Sequence, residues 1–470
     1  MLPAAVSSTQ TAFSLASSSG VLDGGSDEIV IGGEVVKVFA KSGNNITNCL
    51  RGASNSLNGA EPHDLGSTVI IGGDALYISG SMATYRDIEI FNSRPSRDGN
   101  LANQGIGRGN GVTVTGAGNK LVNLVVHDNL NGIFTSSSSS NTEIYGCIVY
   151  NNGMHVRNGS IEEGHGHGLY LENNTGYSRV YDDIVLNSFN LGMQGYGVTA
   201  PYVGGDISGT AIANSGAPLG KFGDPTRRNY NLIVGPDSQR SPTAVLRDSH
   251  FFHPTSTGGY SVKFGYGAGV GTGTVIGNYF IGGGTPFEIA NTSTATVTGN
   301  QFFSSRTGAV YAIAPPSMPY TWNGNVYHQG VGREVFGIAT SGLYQFAGWR
   351  NLTGFDQAGS VTNVAMPNTV IVRRNTYQPG RANVLVYAFS GTSITIDLSQ
   401  TGLVNGQAYS IRSAQNYNGA VLATGIYNSQ SPNLGISLTG VALSVASPIG
   451  YGFTPQTTCP QFCPMVVVPN

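Results

Sequence analysis

The sequence predicts an all-β protein built around a right-handed, single-stranded parallel β-helix, with a small N-terminal β module and a C-terminal β-sandwich. Three observations support this fold class: an unusual composition, short apolar runs at a regular spacing, and asparagines that recur at one position of the repeat. Only 10% of the 470 residues are charged and 68 are Gly, whereas about 25% charged residues are usual in soluble proteins. Gly and Asn suit the tight turns of a solenoid, which has no long charged helical faces.

Residues 1–68 are predicted to form the small N-terminal β module. The segment EIVIGGEVVKVFAKSGNNITNCL alternates apolar and polar residues in two short runs joined by Gly turns, which is the pattern of half-buried strands. Together with HDLGSTV, this segment resembles a short β module found ahead of β-helices and in phage-associated proteins.

Residues 69–330 carry the repeat, whose period of about 20 to 35 residues is typical of solenoids. Each coil begins with a short strand, as in GVTVTG, GIFTSS, GLYLEN, LGMQGYG, YSVKFG and PFEIA, and a second strand follows, as in KLVNLVVHDN or TEIYGCIVYNN. Asn278, Asn300 and Asn325 recur at one turn, where each side-chain amide can bond the neighbouring coil. A second column of turn residues is formed by Asp128, Asn151, Asn187 and Asn214.

Successive residues of a strand point to opposite sides, so the first strand of each coil predicts which side chains face the core. The residues placed inward are Val112, Val114, Ile133, Leu169, Leu171, Met193, Val262, Phe264, Phe287 and Ile289. The residues placed outward form one column of Thr113, Phe134, Tyr170, Gln194, Lys263 and Glu288 and a second of Thr115, Ser136, Glu172 and Tyr196. Insertions before residue 168 and between residues 197 and 260 are expected to wall a groove on one face.

The repeat is predicted to end with a cap over residues 331–365, followed by the β-sandwich over residues 366–470. GLYQFAGWRNLTGFD is the one short helical stretch in this region, and an open solenoid end needs a cover. After it, NTVIVRRN, ANVLVYAF, SITIDLS and AYSIRSA alternate apolar and polar residues between Gly turns. Cys459 and Cys463 lie four apart with no second ligand pair nearby, which favours a local disulfide over a metal site.

The net charge argues against a nucleic acid as partner, and the length of the apolar runs argues against a membrane span. The net charge is −2 with a pI near 6.4, so there is no basic stripe to neutralise the phosphates of a nucleic acid. No apolar run reaches the roughly 18 residues that a membrane span requires. The first residues, MLPAAVSSTQTAFSLASSSG, lack a basic start before an apolar stretch and make a poor signal peptide, although a disulfide would suit an oxidising, extracellular compartment.

Several segments resemble a known family. HDNLNGIF, EIYGCIVYNNG, GHGHGLYLENNTG and FNLGMQGYG, together with FAGWRNLTGFD and VRRNTYQPGRANVLVYAF, resemble bacterial right-handed parallel β-helix repeat proteins of the pectate-lyase-like superfamily. The resemblance implies extracellular or cell-surface handling of polysaccharides by lyases, hydrolases or epimerases. It also implies that the C-terminal module is an accessory β-sandwich of the kind found in carbohydrate-active proteins.

The strongest candidate site lies at GHGHGLYLEN and in the coil after it. Residues two apart in a strand share a face, and the next coil lies about 4.8 Å away, so imidazole, phenol, carboxylate and amide groups would meet in one patch. Such a set suits general acid–base chemistry on a sugar, with rings to stack on pyranose faces. The alternative is a solvated face of cross-strand pairs, with His beside Gly bonding only backbone. The catalytic candidates are His165, His167, Tyr170 and Glu172, and Gln194 and Tyr196 would bind substrate.

Further candidates follow from the charge that each reaction needs. A lyase needs a cation to neutralise a sugar carboxylate, and Lys263 and Arg247 are the candidates, with a lone surface cation as the alternative for each. His127 and Tyr150, at strand ends of earlier coils, are further substrate-binding candidates whose face the sequence does not decide. The two carboxylates of Asp182 and Asp183 suit either a calcium site or a turn; no other cofactor is indicated.

Two functions remain open at this point. The first is an extracellular enzyme that cleaves or modifies a polysaccharide or surface glycan in a groove on the β-helix, with a lyase ahead of a hydrolase. The second is a non-catalytic glycan-binding or structural surface protein, such as an adhesin, a fibre or filament subunit, or a phage-like spike. The low charge and the Gly-rich coils fit the second reading too, which would entail self-association.

Overall fold

The structure is a computed structural model that describes most of the chain. The described residues are 12–14, 27–31, 34–42, 45–50, 69–71, 74–93, 97–99, 108–154, 156–157, 160–161, 166–197, 202–218, 226–237, 239–315, 318–338, 342–440 and 443–470. Three long parallel sheets dominate them, and successive coils contribute successive strands to each sheet. This is a parallel β-helix in an all-β chain, as the sequence predicts.

We call the three sheets A, B and C, in the order in which each coil visits them. The parallel strands of sheet A are Leu76–Ile78, Val112–Val114, Ile133–Thr135, Leu169–Leu171, Met193–Gly195, Leu232–Val234, Gly258–Phe264, Thr285–Ile289, Ala312–Ala314 and Phe336–Ile338, joined by Arg227–Arg228 beside Gly258–Phe264 and by the antiparallel Gly342–Tyr344. Those of sheet B are Thr84–Arg86, Lys120–Val122, Glu143–Tyr145, Ser178–Tyr181, Gly204–Ser208, Ser241–Arg247, Val270–Ile276, Thr292–Thr298 and Tyr320–Asn323. Those of sheet C are Glu89–Phe91, Val125–His127, Ile148–Tyr150, Ile184–Leu186, Ala211–Ala213, His250–Phe252, Tyr279–Ile281, Gln301–Phe303, Val326–Tyr327 and Ser360–Val361.

Each coil therefore has three strands, where the sequence predicts two. The segment expected to be one second strand bends once, between sheet B and sheet C. In the coil of KLVNLVV the bend is at Asn123, with φ 54°, and in a later coil it is at Gly277, with φ 69°. A single residue in the left-handed region turns the chain without interrupting the run of apolar side chains.

The interior of the β-helix confirms the predicted inward residues. All ten of the predicted inward side chains lie in one continuous buried cluster that runs the length of the solenoid. The asparagine ladder is also present and buried: the N–H of Asn278 donates to Oδ1 of Asn300 (2.9 Å), and the N–H of Asn300 donates to Oδ1 of Asn325 (2.9 Å). These bonds satisfy backbone donors at a turn that has no strand partner.

The second predicted column of turn residues takes the left-handed backbone conformation. Asp128, Asn151, Asn187 and Asn214 have φ between 51° and 59°, a region that Asn and Asp enter more readily than other non-glycine residues. In addition, the side-chain amide of Asn214 donates to Oδ1 of Asn187 (2.8 Å). The Asn and Asp residues that recur in the sequence therefore mark a turn that recurs in successive coils.

The predicted short helix covers the C-terminal end of the solenoid. It spans Phe346–Thr353, and its fully buried Trp349 stacks on Phe336 of the last parallel strand of sheet A, with ring centroids 5.0 Å apart. Parallel pairing continues beyond residue 330, because Ser360–Val361 adds a last strand to sheet C. The helix therefore lies within the final turn of the solenoid.

The C-terminal residues form two facing antiparallel sheets, which confirms the predicted β-sandwich. The five-stranded sheet consists of Thr369–Arg374, Ala382–Tyr387, Phe462–Pro469, Ala408–Ser413 and Ala423–Ile426, and the two-stranded sheet of Ser393–Asp397 and Asn433–Ser437, with 3₁₀ turns at Leu398–Thr401 and Ala414–Asn416. Buried side chains such as Val384, Ile396 and Ile411 fill the space between them. Cys459 and Cys463 are joined by a disulfide, as the sequence favours.

The other face of the five-stranded sheet packs on sheet C of the β-helix. Ile148, Ile184 and Phe252 of sheet C share one buried cluster with Tyr387 and Phe462 of the sandwich. Sheet C is therefore apolar on both faces, as parallel sheets covered on both sides are. The sandwich therefore covers sheet C, and no residue of sheet A takes part in this buried cluster.

The N-terminal residues form a separate antiparallel sheet, in agreement with the predicted β module. Its strands are Phe13–Ser14, Asn45–Leu50, Glu34–Ser42, Asp27–Ile31 and Val69–Ile71. A further small sheet joins Asp98–Gly99, Val156–Arg157 and Ser160–Ile161. Among the described residues, no helix has the length and apolar character that crossing a membrane would require.

Candidate functional site

The outward face of sheet A brings distant residues into one column. Strand pairing places Tyr170 directly beside Gln194, with Phe134 one coil before. The column continues through Ile233 to Lys263 and Glu288. The sequence prediction that Tyr170 and Gln194 are neighbours is thus confirmed, and Ile233 adds a coil that the sequence analysis did not include.

A second outward column places two carboxylates beside two tyrosines. Glu172 and Tyr196 follow equivalent strands in successive coils, because the N–H of Tyr196 donates to the carbonyl of Leu171 (3.0 Å). The hydroxyl of Tyr170 donates to Oε1 of Glu172 (3.5 Å), and the hydroxyl of Tyr196 donates to Oδ2 of Asp237. Each carboxylate is therefore oriented by a phenol on the same face.

Aromatic rings cover this face almost without interruption. The ring of Tyr170 lies 5.4 Å from that of Phe134 and 6.4 Å from that of Tyr196, which in turn lies 5.9 Å from that of Tyr266. Beside them, Tyr230 and Tyr260 stack at 5.5 Å. We call this set the tyrosine strip; it comprises Phe134, Tyr170, Tyr196, Tyr230, Tyr260 and Tyr266.

Burial sets the protonation of the groups in the strip. Burial raises the pKa of Glu172 above its usual value, although the hydrogen bond from Tyr170 works in the opposite direction. Burial also raises the pKa of Tyr170, and the charge of Glu172 raises it further, so this phenol stays a hydrogen-bond donor at neutral pH. Lys263 forms an ion pair with Glu288 at 3.0 Å.

Of the two predicted catalytic histidines, His167 is described by the structure and is buried beside Tyr170. His165 lies outside the described residues. His167 is buried, with 3% of its surface exposed, and its ring centroid lies 5.3 Å from that of Tyr170. Its backbone N–H donates to Oδ1 of Asn131 (2.9 Å). His167 thus packs behind Tyr170 and helps to fix the position of that ring.

Three predicted substrate-binding residues lie away from the strip. Arg247 is the last residue of a strand in sheet B and is exposed there. His127 and Tyr150 belong to sheet C, where their rings stack at 4.6 Å. His127 lies between two carboxylates, with Nδ1 2.7 Å from Oδ2 of Asp128 and Nε2 3.0 Å from Oε1 of Glu89. The coil period predicts the neighbours of a residue within its own sheet but does not say which sheet carries an isolated residue.

Asp182 and Asp183, the two carboxylates considered for calcium, bind different partners within the protein. Asp182 forms an ion pair with Arg373 of the C-terminal sandwich. Asp183 is fully buried, accepts a hydrogen bond from the N–H of Cys147 (2.7 Å), and has a pKa raised by that burial. The calcium interpretation of this pair is therefore not supported. Within the described part of the chain, no three His, Cys, Asp or Glu side chains are grouped to hold a metal ion.

Sequence reasoning missed Asp237 and three of the tyrosines. Asp237 follows the strand Leu232–Val234, whose Ile233 occupies the same column as Tyr170. The segment NLIVG has the alternation of the other first strands. If NLIVG is aligned with them, Asp237 falls just beyond the strand, close to the position of Tyr196 one coil earlier.

Comparisons with known proteins give weak similarity only. No protein-family model matches the chain, and no curated protein matches it. The chain is similar to the solved tailspike protein gp49 of Acinetobacter baumannii bacteriophage Fri1, a capsular polysaccharide depolymerase (10% identity, TM-score 0.29, covering 86% of this chain and 71% of that chain).

Two further solved tailspikes are similar at the same level. They are the Dettilon tailspike protein (11% identity, TM-score 0.23, covering 84% of this chain and 86% of that chain) and a tailspike mutant of E. coli bacteriophage HK620 in complex with a pentasaccharide (12% identity, TM-score 0.23, covering 77% and 71%). At these TM-scores the similarities assign neither an activity nor a substrate to this chain, and membership of the pectate-lyase-like superfamily stays a prediction.

Proposed function

We propose that the protein hydrolyses glycosidic bonds of a polysaccharide bound along the tyrosine strip. The observation that carries the proposal is the pair of carboxylates, Glu172 and Asp237, each held by a tyrosine hydroxyl on one open face. Glycoside hydrolysis requires two carboxyl groups that flank the bond to be broken. A half-buried carboxyl with a raised pKa beside a more exposed carboxylate supplies the acid and the base.

The aromatic surface supports a sugar as the ligand. Tyrosine combines a flat apolar ring with a hydroxyl, so it can cover the C–H face of a pyranose and also bond its hydroxyl groups. The rings of Phe134, Tyr170 and Tyr196 follow one another in successive coils, and Tyr266 comes two coils after Tyr196. A ligand that covers them has to be extended along the solenoid axis, and a polysaccharide chain meets that requirement.

The roles of the two carboxyl groups follow from their surroundings. Glu172, whose pKa is raised by burial, is the general acid that protonates the leaving oxygen. Asp237, exposed and oriented by Tyr196, is the base that activates a water. The strands that precede them lie two coils apart, about 10 Å along the axis, and the hydrogen bond from Tyr196 holds Asp237 towards the coil between them. We therefore expect the two carboxyl groups to be somewhat less than 10 Å apart, as in an inverting hydrolase, where they are roughly 6.5–9.5 Å apart.

The charges of the strip favour hydrolysis over the lyase reaction that the sequence placed first. A lyase needs a cation to neutralise the carboxylate of its substrate. Lys263 lies on this face but is already paired with Glu288, and Arg247 lies on sheet B. The exposed carboxylate of Asp237 adds negative charge to the same surface, which would repel a polyuronate.

The test is polysaccharide cleavage by matched variants. Glu172→Gln and Asp237→Asn are each expected to lower the rate of reducing-end release by at least about 100-fold, the usual contribution of general acid–base catalysis. Glu143→Gln and Asp206→Asn are the controls, because both carboxylates also accept a hydrogen bond from a tyrosine, Tyr377 and Tyr181 respectively, but lie on sheet B. The substrates are purified bacterial capsular and O-antigen polysaccharides together with dextran, pullulan and galactomannan.

The outcomes separate the two functions considered from the sequence. Cleavage that survives both Glu172→Gln and Asp237→Asn would contradict the assignment of the catalytic pair. Binding of a polysaccharide without any product would indicate a non-catalytic glycan-binding protein. An extracellular location is part of the proposal, since bacterial polysaccharides of this kind lie outside the cytoplasm and the Cys459–Cys463 disulfide suits an oxidising compartment.

A further inference from the structure

The ion pair of Lys263 and Glu288 lies at one end of the tyrosine strip. The ammonium of Lys263 is 3.0 Å from Oε1 of Glu288, and 24% and 16% of the two side chains remain exposed. The same ammonium lies 5.9 Å from the ring centroid of Tyr266. Burial raises the pKa of Tyr230, and the charge of Glu288 raises it further, so a second ring lies within electrostatic range of the pair.

The pair retains hydrogen-bonding capacity that the protein does not use. An ammonium has three donors and a carboxylate has two acceptor oxygens. Within the described part of the chain, Lys263 makes no hydrogen bond beyond the ion pair, and Glu288 accepts from no other group. Partly buried charges between aromatic rings interact more strongly with a ligand than charges in open water do. Donor and acceptor are thus presented side by side, next to flat rings.

We infer that Lys263, Glu288, Tyr230 and Tyr266 form a distal subsite for a neutral sugar that presents two adjacent hydroxyl groups. One hydroxyl would donate to the carboxylate of Glu288 while its neighbour accepts from the ammonium of Lys263. The two oxygens of a vicinal diol lie about one hydrogen-bond length apart, which matches the spacing of the pair. A sugar carboxylate fits less well, because it would compete with Glu288 for the same ammonium.

The position of the subsite predicts where the polysaccharide is cut. This step rests on the proposed function. The cleavage gap lies at the coil of Gln194, between Glu172 and Asp237, and Lys263 and Glu288 follow two and three coils later. At about 4.8 Å per coil the subsite is about 12 Å from the gap, which is further than one sugar ring. Productive binding therefore spans several units, so the enzyme cleaves within chains.

Binding can be measured separately from cleavage. The background is the full chain carrying Glu172→Gln and Asp237→Asn, so that bound polysaccharide is not consumed. In this background, Lys263→Met and Glu288→Gln are compared with Lys120→Met. Lys120 lies on sheet B and is a matched control, because its ammonium is 3.5 Å from Glu143 and lies beside the ring of Tyr377. The probes are an array of bacterial capsular and O-antigen polysaccharides with dextran, pullulan and galactomannan, and polygalacturonate and alginate as polyuronates.

The expected result is binding to at least one neutral polysaccharide that falls about tenfold in Lys263→Met and in Glu288→Gln, as for loss of a charge-assisted hydrogen bond. Lys120→Met should bind within about twofold of the background. Thermal unfolding midpoints establish that each variant is folded, and the two single variants are independent tests if one is not. In the active protein, early products should be long fragments by size-exclusion chromatography.

Each other outcome counts against the inference in a distinct way. Unchanged binding in both variants would remove the distal subsite and leave the proposed function standing. Preferential binding of polyuronates, lost in Lys263→Met and improved in Glu288→Gln, would show that the site reads a carboxylate instead. Early release of single sugars would contradict cleavage within chains. Absence of binding to every polysaccharide would overturn both the subsite and the proposed function.

Discussion

Acid should weaken the association of the C-terminal sandwich with the β-helix through buried histidines. His250 lies on sheet C with 2% of its surface exposed, stacked on Tyr279 at 4.8 Å and with Nδ1 3.2 Å from the hydroxyl of Tyr387 in the sandwich. The Nε2–H of His253, in the same coil, donates to the carbonyl of Asn229 (2.9 Å). Burial lowers the pKa of both imidazoles from 6.5 to about 3, so both are neutral in the folded protein.

The sign and size of the effect follow from these pKa values. Between pH 6.5 and 3 the unfolded chain binds protons that the folded chain does not, so stability falls as the pH falls through this window. Each pH unit is worth about 1.36 kcal/mol per group. At pH 4.5, two units below the unfolded value, His250 alone should cost about 2.7 kcal/mol of unfolding free energy relative to pH 7.5.

The assay is urea unfolding of the wild-type protein and His250→Phe at both pH values. The variant loses the hydrogen bond to Tyr387, so its stability at pH 7.5 is not the readout. The readout is the difference between the two pH values, which should be smaller by about 2.7 kcal/mol in the variant. Tyr279→Phe, which keeps the stacked ring and His250 itself, should retain the wild-type difference. An equal pH difference in wild type and His250→Phe would refute the claim that this imidazole is held neutral.

Two further predictions concern the ladder and the proposed acid. Asn300→Ala removes the buried acceptor of the Asn278 N–H and the donor to the carbonyl of Val275, so the unfolding free energy in urea should fall by about 3 kcal/mol, whereas the exposed Asn405→Ala should cost far less. Tyr170→Phe removes a hydrogen bond that lowers the pKa of Glu172, so this pKa should rise in the variant. The alkaline limb of the pH profile of kcat/KM should then shift to higher pH, and a shift to lower pH would contradict the role of Glu172 as acid.

The core and the outward columns could be predicted because they depend on local periodicity. Alternation within a strand and the spacing of the coils place Tyr170 beside Gln194 without knowledge of the loops between them. The third strand of each coil could not be predicted in the same way. In KLVNLVV, Asn123 adopts φ 54°, and one asparagine inside an apolar run is compatible with a continuous strand as well as with a bend.

The candidate site was predictable only where it lies on strands. Glu172 and Tyr196 occupy equivalent positions after successive strands of sheet A, so the alignment of coils finds them. Asp237 comes from the stretch between residues 197 and 260, where the insertion hides the coil that contains Ile233. Its side chain contacts Tyr196 because of the path of the loop that carries it. The geometry of a loop depends on contacts that cannot be read from a local sequence pattern.

The choice of sheet A as the functional face follows from the burial of sheet C. Strands such as Ile148–Tyr150, Ile184–Leu186 and His250–Phe252 are buried at every residue, inward and outward alike. A strand with apolar side chains on both faces needs a cover, and the C-terminal sandwich supplies it. On sheet A the outward positions include Tyr170, Gln194, Lys263 and Glu288, which are partly exposed, although Thr113 and Ile233 of the same column are buried. The partly exposed polar and aromatic groups of sheet A are not among the buried residues that join sheet C to the sandwich. They are available to a ligand, which is why the catalytic hypothesis belongs on this face.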